Sequence, residues 1–550
     1  MIVEKFREDS RPTFKPATQS GGASVALRKL QEEWNTSRLI NFPRIASTIL
    51  VVFVLMKENN MTGRRIGSIT AAVLAVLNAA MVCASGKEPA KQARAGLYHE
   101  SLRPQFHFTA RYWNDYRLNP KEHQEGWIND VNGLVYLDGE YHFFAQRWWS
   151  CWLHAVSKDL VHWQELPPAF GKDDKFGGTQ SGGAVVDYDN TSGLATGKTP
   201  VMVAFWASTD NLRQCISYSN DRGRTWVKYD KNPVLIHPQR DPKVFWYAPE
   251  KKWILILYGP PKNSYLLFSS KNLLDWTKIG EPIPDTYECP DMFELPLDGN
   301  PARKKWVIVN GDGSYVVGTF DGTIFQAETS KMRGDYGRNF YATMTWNGMP
   351  PQDGRRIQVA WMRGGSYPDM PFNQQITFPA ELTLRTVPEG IRLCRNPIRE
   401  IEKIYDRDFK LVDKRLKPGE SLLSDLTGEL FDIRIEIDMS KTNCEQIVLN
   451  ARGNEVKYFV KEQAVESCGV RQELKPRSQR VSLRILVDRM SIETFGNEGE
   501  VSITNQARAQ ASKPALALDA IGGEAYISSV SVHTLRSIWP AHVATLHPSK

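Results

Sequence analysis

The sequence predicts an all-β protein, a five-bladed β-propeller followed by a carboxy-terminal β-sandwich, and three observations carry that expectation. Short apolar and aromatic stretches are broken throughout by Gly, Pro, Asn and Asp, the texture of strands and turns. A polar turn ending in Trp recurs at 157–163 ("SKDLVHW"), 219–226 ("SNDRGRTW") and 270–276 ("SKNLLDW"). Beyond residue 400, "FDIRIEIDM" at 431–439 and "VSLRILVDRMSIETF" at 481–495 alternate apolar with polar residues, as strands do when one face is buried and the other wet.

The amino-terminal region speaks to address. The sequence "MTGRR" at 61–65 precedes an apolar run at 66–82 and then the small residues Ala84, Ser85 and Gly86. That charged, apolar, small-residue order is a secretory signal peptide, so export to the periplasm or the medium is expected, with 61–86 as the signal. An origin at Met61 makes 1–60 a non-native or disordered extension. A membrane anchor is the alternative, but 45–56 is too short for a bilayer and 66–82 marginal, so the mature chain is expected to lack a stable span. Cys83 follows Met81 and Val82, without the small residue that a lipoprotein site needs.

The 550 residues exceed one ordinary core and carry a formal net charge of +7. The first hundred hold 14 Lys/Arg against 8 Asp/Glu, so nearly all the excess lies there. The remainder is close to neutral, which removes the electrostatic case for a nucleic-acid partner. Seven cysteines, at 83, 151, 215, 289, 394, 444 and 468, form no CxxC pair and no metal spacing; Cys444 and Cys468 fall in one expected domain and are a possible pair. No Gly-rich phosphate loop occurs, and no cofactor is expected.

Each Trp-ended turn follows a short strand candidate ("LHAV", "QCISY", "SYLLF"), and the copies recur every 50 to 65 residues. One small sheet per repeat is the composition cue of a propeller blade, and 101–385 accommodates about five at that period. A connector with a short helix is expected at 386–417, where "REIEKIYDRDFK" is densely charged, and the sandwich at 418–537.

Three acids stand out. Asp130 lies in "GWINDVNGLVYLDGEYHFF" (126–144), at the mouth of a strand and beside the turn signal Asn132-Gly133. An Asp there is ordinarily a turn former. Asp115, in "YWNDYRLNP", shares the texture but opens no strand. Asp241 follows Arg240 ahead of "KVFWY"; such a pair is commonly a surface ion pair, yet an acid held ionised by Arg also accepts hydrogen bonds from sugar hydroxyls. Glu288, in "YECPDMFEL", stands between Tyr287 and Cys289, where desolvation would raise its pKa and suit it to donate a proton; the plain alternative is an exposed loop Glu.

Taken in order, "RPQFHFTA" (103–110), "WINDVNG", "RDP" and "ECPD" resemble glycoside hydrolase family 32, the β-fructofuranosidases that include invertases, levanases and inulinases. The resemblance continues in "SKDLVHW", "SGGAVVD" (181–187), "YSNDRGRTWVKYDKNPVL" (218–235), "NFYATMTW" (339–346) and "LVDRMSIETFGNEGE" (486–500), covering about 101–535. It implies a five-bladed propeller with a following sandwich and a fructan (levan, inulin) or sucrose substrate. It also implies Asp130 as nucleophile at the anomeric carbon of a fructosyl unit, Glu288 as acid and then base, and Asp241 with Arg240 as binders of fructosyl hydroxyls. Trp127, Asn129, Gln146 and Ser181 would line the fructose pocket. In such a retaining pair one acid stays ionised in a hydrogen-bonded turn while apolar neighbours keep the other protonated.

Departures from the family pattern cluster where the leaving sugar should sit. Val131 replaces the usual Pro beside the nucleophile, 111–125 is an insertion, "QRWWSCWLH" (146–154) has Leu153 where Gly is expected, and Gln180, Gly183 and "FWASTD" (205–210) alter the next two elements. They bear on substrate choice more than on reaction type. The rival readings are a fructosyltransferase, another furanoside hydrolase of propeller fold, and a carbohydrate-binding propeller with a decayed site; retention of all three acids argues against decay.

Overall fold

The computed structural model describes residues 98–110, 126–147, 149–350, 352–510 and 514–539. The expected extension at 1–60, the signal peptide at 61–86, Cys83 and the insertion at 111–125 with Asp115 lie outside these residues. Among the described residues there is no α-helix, only strands and two short 3-10 turns.

The first part is a β-propeller of successive antiparallel meanders, built outward from five inner strands: β1 (Val131–Leu137), β2 (Ala184–Asp187), β3 (Arg240–Tyr247), β4 (Asp291–Leu297) and β5 (Tyr341–Thr345). The last two meanders share one nine-stranded sheet through a parallel contact, Leu297 against Leu384. Asn347, just past β5, donates its N–H to Leu134 O (2.9 Å) and accepts from Tyr136 N (3.0 Å), which joins the last meander to the first.

The Trp-ended turns connect the third and fourth strands of the first three meanders, and one local design explains their recurrence. Ser157, Ser219 and Ser270 end the third strands and donate to Asp159 (3.2 Å), Asp221 (2.8 Å) and Asn272 (3.1 Å) two residues on. Leu160, Arg222 and Leu273 then take left-handed backbone, with φ of 63°, 59° and 64°. The short polar side chains thus satisfy the tight turn locally. The indole N–H of Trp226 and of Trp276 closes the loop onto Gly223 O and Leu273 O, each at 3.0 Å.

The second part is a β-sandwich of two six-stranded sheets. The strand Phe431–Asp438 buries Phe431, Ile433, Ile435 and Ile437 against Leu449, Tyr458, Ile485 and Ile527, as its alternation predicts. Residues 386–417 differ from the expected connector. A 3-10 helix is present at Arg399–Ile404, but the strand Gly390–Pro397 pairs within the propeller and Tyr405–Leu416 pairs along Ala525–Leu535 at the edge of the sandwich. Edge placement explains the misleading charge: most side chains of Tyr405–Leu416 face water. Cys444 and Cys468 are both free thiols, so the possible pair is not formed.

Two motifs nearly 400 residues apart meet between these parts. His107, from "RPQFHFTA", is fully enclosed with Nδ1 at 2.8 Å from Asp488 Oδ2 and Nε2 at 2.8 Å from Glu493 Oε1. Asp488 also accepts the backbone N–H groups of Gln105 and Phe106, and Glu493 accepts that of Phe378 and faces Arg395 at 3.3 Å. Burial opposes a charge on His107, but its two carboxylate partners outweigh burial and push its pKa up to about 9. Its stabilising contribution is therefore complete below pH 6.5, its ordinary value, and is lost as pH rises through about 9. Denaturant unfolding should show stability falling across that window. His107→Ala should abolish the slope and cost roughly 3–5 kcal/mol at pH 6, because two carboxylates are left buried without their partner.

Candidate active site

The starts of the five inner strands converge on one cavity of about 460 Å³, and each contributes from there. Asp130 precedes β1, Ser181 precedes β2, Arg240 and Asp241 open β3, Glu288 precedes β4 and Tyr341 opens β5. In β1, β3 and β5 the pairing register shifts within the first few residues, between Asn132 and Val135, Arg240 and Lys243, and Tyr341 and Met344. Such irregularities turn a strand end and re-aim its side chains. Asp241 (φ 66°), Glu288 (φ 41°) and Cys289 (φ 43°) are non-glycine residues in left-handed backbone, a costly conformation that surrounding bonds must enforce. Around Glu288 those bonds come from Tyr265 OH to Glu288 O (2.8 Å) and Gly311 N to Glu288 O (3.0 Å). Gly182 serves the same end for Ser181: a Cβ there would lie 1.9 Å from Phe205 O, so only Gly lets this loop lie flush against its neighbour.

The three carboxylates have different surroundings. Asp130 Oδ2 accepts from Ser181 Oγ (2.6 Å) and, more weakly, from Gln146 Nε2 (3.4 Å). Gln146 also donates to Ser181 Oγ (2.5 Å) and accepts from Asn129 Nδ2 (3.2 Å), so these four side chains form one chain of hydrogen bonds. Burial raises the pKa of Asp130 against the lowering effect of Ser181, and the charge of Glu288 adds to the rise. Asp241 Oδ2 accepts from Cys289 N (2.9 Å), while Oδ1 is buried with no partner; burial pushes its pKa up to about 7 despite Arg240. Glu288 is gripped on both oxygens, Oε1 by Arg240 Nη2 and Oε2 by Tyr341 OH.

Beneath the cavity lies a buried polar floor. Lys243 Nζ, 1% exposed, donates to Thr345 O (2.8 Å) and stands 3.5 Å from Asp291 Oδ1. Asp291 Oδ2 accepts both the N–H (2.7 Å) and the hydroxyl (2.8 Å) of Thr345. Asn347 Nδ2 donates to Ala184 O and Val244 O, each at 2.9 Å. This floor ties β2, β3, β4 and β5 together a few residues beyond Asp241, Glu288 and Tyr341.

Of the residues singled out in the sequence, Asn129, Asp130, Gln146, Ser181, Arg240, Asp241 and Glu288 all line the cavity. Trp127 does not: its indole N–H donates to Asn129 Oδ1 (3.0 Å), so it backs the wall and fixes that amide. Arg240 pairs with Glu288 rather than with its chain neighbour Asp241, and Glu288 has a cation and a phenol against it in place of the expected apolar neighbours. Burial falls instead on Asp130 and Asp241. Gln180, Thr209 and Asn211 form a further wall, consistent with departures at 180 and 205–210 bearing on the cavity. Trp149, Tyr341, Trp361 and Arg363 complete it and were not anticipated; Tyr341 lies inside the quoted "NFYATMTW", but its role depends on the bulge that turns it inward. Among the described residues no cluster of His, Cys, Asp and Glu is arranged to hold a metal ion.

A cavity at the strand starts of a propeller that brings three carboxylates together suits a class of protein that works by nucleophilic and acid–base catalysis. Comparison with known proteins gives the family. Residues 121–397 match the glycosyl hydrolases family 32 N-terminal domain and 400–534 match the family 32 C-terminal domain. A levanase of Bacillus subtilis is 37% identical over 508 residues, covering 82% of this chain and 73% of its own. An extracellular exo-inulinase of Aspergillus niger is 31% identical over 546 residues, covering 81% and 98%. The crystal structure of an exo-inulinase from Aspergillus awamori superposes with a TM-score of 0.71 at 27% identity, covering 80% of this chain and all of that one. The chain belongs to glycosyl hydrolase family 32 and is a glycosidase.

Because Lys243 is the cation that balances Asp291 inside the floor, Lys243→Met should destabilise the protein by roughly 3–5 kcal/mol, read by denaturant unfolding. A loss below about 1 kcal/mol would show that the floor carries no net electrostatic weight.

Proposed function

We infer that this chain is a β-fructofuranosidase acting on fructans or sucrose, by a retaining mechanism on the three acids of the cavity. The observation that carries the mechanism is the pairing of a carboxylate fixed by Ser181 with another held between Arg240 and Tyr341 in the same cavity. In the first step Asp130 attacks the anomeric carbon as Glu288 gives its proton to the departing glycosidic oxygen. A covalent fructosyl ester forms on Asp130 and the leaving sugar departs as an alcohol. In the second step Glu288 takes a proton from water, the hydroxide oxygen bonds to the same carbon, and the ester breaks to restore Asp130 and release fructose.

The surroundings suit these roles. Ser181 and Gln146 hold Asp130 in one orientation, so the attack geometry is fixed in advance. Asp241, with its pKa near 7, carries a proton below neutral pH and can donate as well as accept a hydrogen bond to fructosyl hydroxyls. Its unpartnered Oδ1 is the atom for that contact. Tyr341 and Arg240 orient Glu288 between its acid and base duties.

Secretion is part of the same reading. The exo-inulinase relative is named as extracellular. With a signal at 61–86, the enzyme would act on substrate outside the cytoplasm.

Reducing-sugar release from sucrose, inulin and levan tests the reading. Wild type should cleave at least one, and Asp130→Asn and Glu288→Gln should each lower kcat roughly 10²- to 10⁴-fold without loss of fold. Fructose should appear first as the β-furanose, seen by NMR before mutarotation. First release of the α-anomer would exclude the double displacement, and a folded wild type inert on all three substrates would leave a binding role.

A further inference from the structure

Arg363 is the cation in the cavity wall that the chemistry above does not use. Its guanidinium lies 4.7 Å from the ring centroid of Tyr341 and 5.9 Å from that of Trp361, and among the described residues it makes these ring contacts but no ion pair. Attraction to aromatic rings holds a guanidinium in place without using its N–H groups as hydrogen-bond donors to another side chain, so they are left to donate outward. Tyr341 is the residue whose hydroxyl holds Glu288 Oε2, so Arg363 stands on the proton-donor side of the cavity. Residues 363–366 form the loop that carries it, and the sandwich clamps that loop. Gln506, at the end of the sandwich strand Val501–Gln506, donates to Ser366 O (3.0 Å) and accepts from Ser366 N (2.9 Å). Asn339 Nδ2 donates to Arg363 O (2.7 Å), and Asn339 Oδ1 accepts Gln506 N (2.8 Å).

We propose that Arg363, held against Tyr341 and Trp361 by a loop that the sandwich clamps through Gln506, is a specificity residue that binds hydroxyls of the leaving sugar. The proposal rests on Glu288 being the group that protonates the leaving oxygen, since that puts the leaving sugar beside Tyr341. A neutral polyol is the ligand the charges favour: Asp130, Asp241 and Glu288 share the cavity and would repel an anionic one. A guanidinium fork can donate to two adjacent hydroxyls, which suits a sugar better than a leaving group without hydroxyls. The sandwich then has a part in substrate choice without itself touching substrate.

The test compares the full-length enzyme on sucrose, inulin and methyl β-D-fructofuranoside, whose leaving group is methanol. Arg363→Ala should lower kcat/KM on sucrose and inulin roughly 10- to 100-fold, the range for losing charged hydrogen bonds, and change it less than about 3-fold on the methyl fructoside. Arg363→Lys should recover only part of the loss, and Gln506→Ala should shift the same ratio in the same direction with the melting temperature of the propeller retained. Equal losses on all three substrates would overturn the proposal, because Arg363 would then act through Tyr341 and Glu288. Unchanged rates on sucrose and inulin would overturn it as well. A wild type inert on these three substrates and on levan would instead refute the β-fructosidase reading, and this inference with it.

Discussion

The buried contact of Lys243 with Asp291 and Thr345 is the constraint on which the site depends. Each of these residues sits two to four positions beyond a cavity residue on, or just ahead of, its own strand, Asp241, Glu288 and Tyr341 respectively. Displacing one strand relative to the others would break the floor before it moved a carboxylate. A charged pair at 1% and 2% exposure gains little net stability over an apolar replacement, but it admits one register and penalises others. Asn347 extends this control to β2 and, through its backbone, to β1. Bulges and left-handed residues at the strand starts are tolerated above a floor that is fixed.

Electrostatics in the cavity follow from that rigidity. Three carboxylates are crowded together with Arg240 in contact with one of them, and burial, with the neighbouring negative charges adding to it, raises the pKa values of Asp130 and Asp241. Relief comes from polar neighbours that do not move: Ser181 and Gln146 for Asp130, a backbone N–H for Asp241, and Arg240 with Tyr341 for Glu288. Fixed dipoles of this kind are what a transition state with developing positive charge on a sugar ring requires. The His107 network is the second fixed point, and it ties residues 105–107 to the sandwich, while Glu493 reaches Phe378 and Arg395 of the propeller.

Much of this was legible in the chain. Alternation at 431–439 and in the first half of 481–495 marks strands because the sandwich buries one face of each, whereas Ser491–Gly496 is buried on both faces, with Glu493 turned to His107 instead of to water. The Trp-ended turns recur because, in each of the first three meanders, the third strand returns to the fourth through the same Ser, Asp or Asn and left-handed residue. By contrast, Lys252–Gly259 is buried on both faces, so it shows a continuous apolar run and no period. Residues 386–417 misled because an exposed edge strand has the composition of a linker. At the site, the three acids stood out through their local company, whereas the neighbours of each acid did not. Glu288 reads as flanked by Tyr287 and Cys289, yet its contacts, Arg240 and Tyr341, are 48 and 53 residues away. Arg363 and Gln506 belong to different parts of the fold, and only the packing of sandwich on propeller brings them to one loop.

The proposed mechanism turns on a covalent bond between Asp130 and the fructosyl carbon. A β-fructofuranosyl fluoride needs little help from an acid to lose its leaving group, so Glu288→Gln should form the ester at a useful rate and then lack the base that hydrolyses it. Peptide mass spectrometry after brief incubation should find a fructosyl adduct on the peptide containing Asp130, and on no other carboxylate. An adduct on Asp241, or turnover of the fluoride with no adduct and with inversion of the anomeric centre, would contradict the assignment.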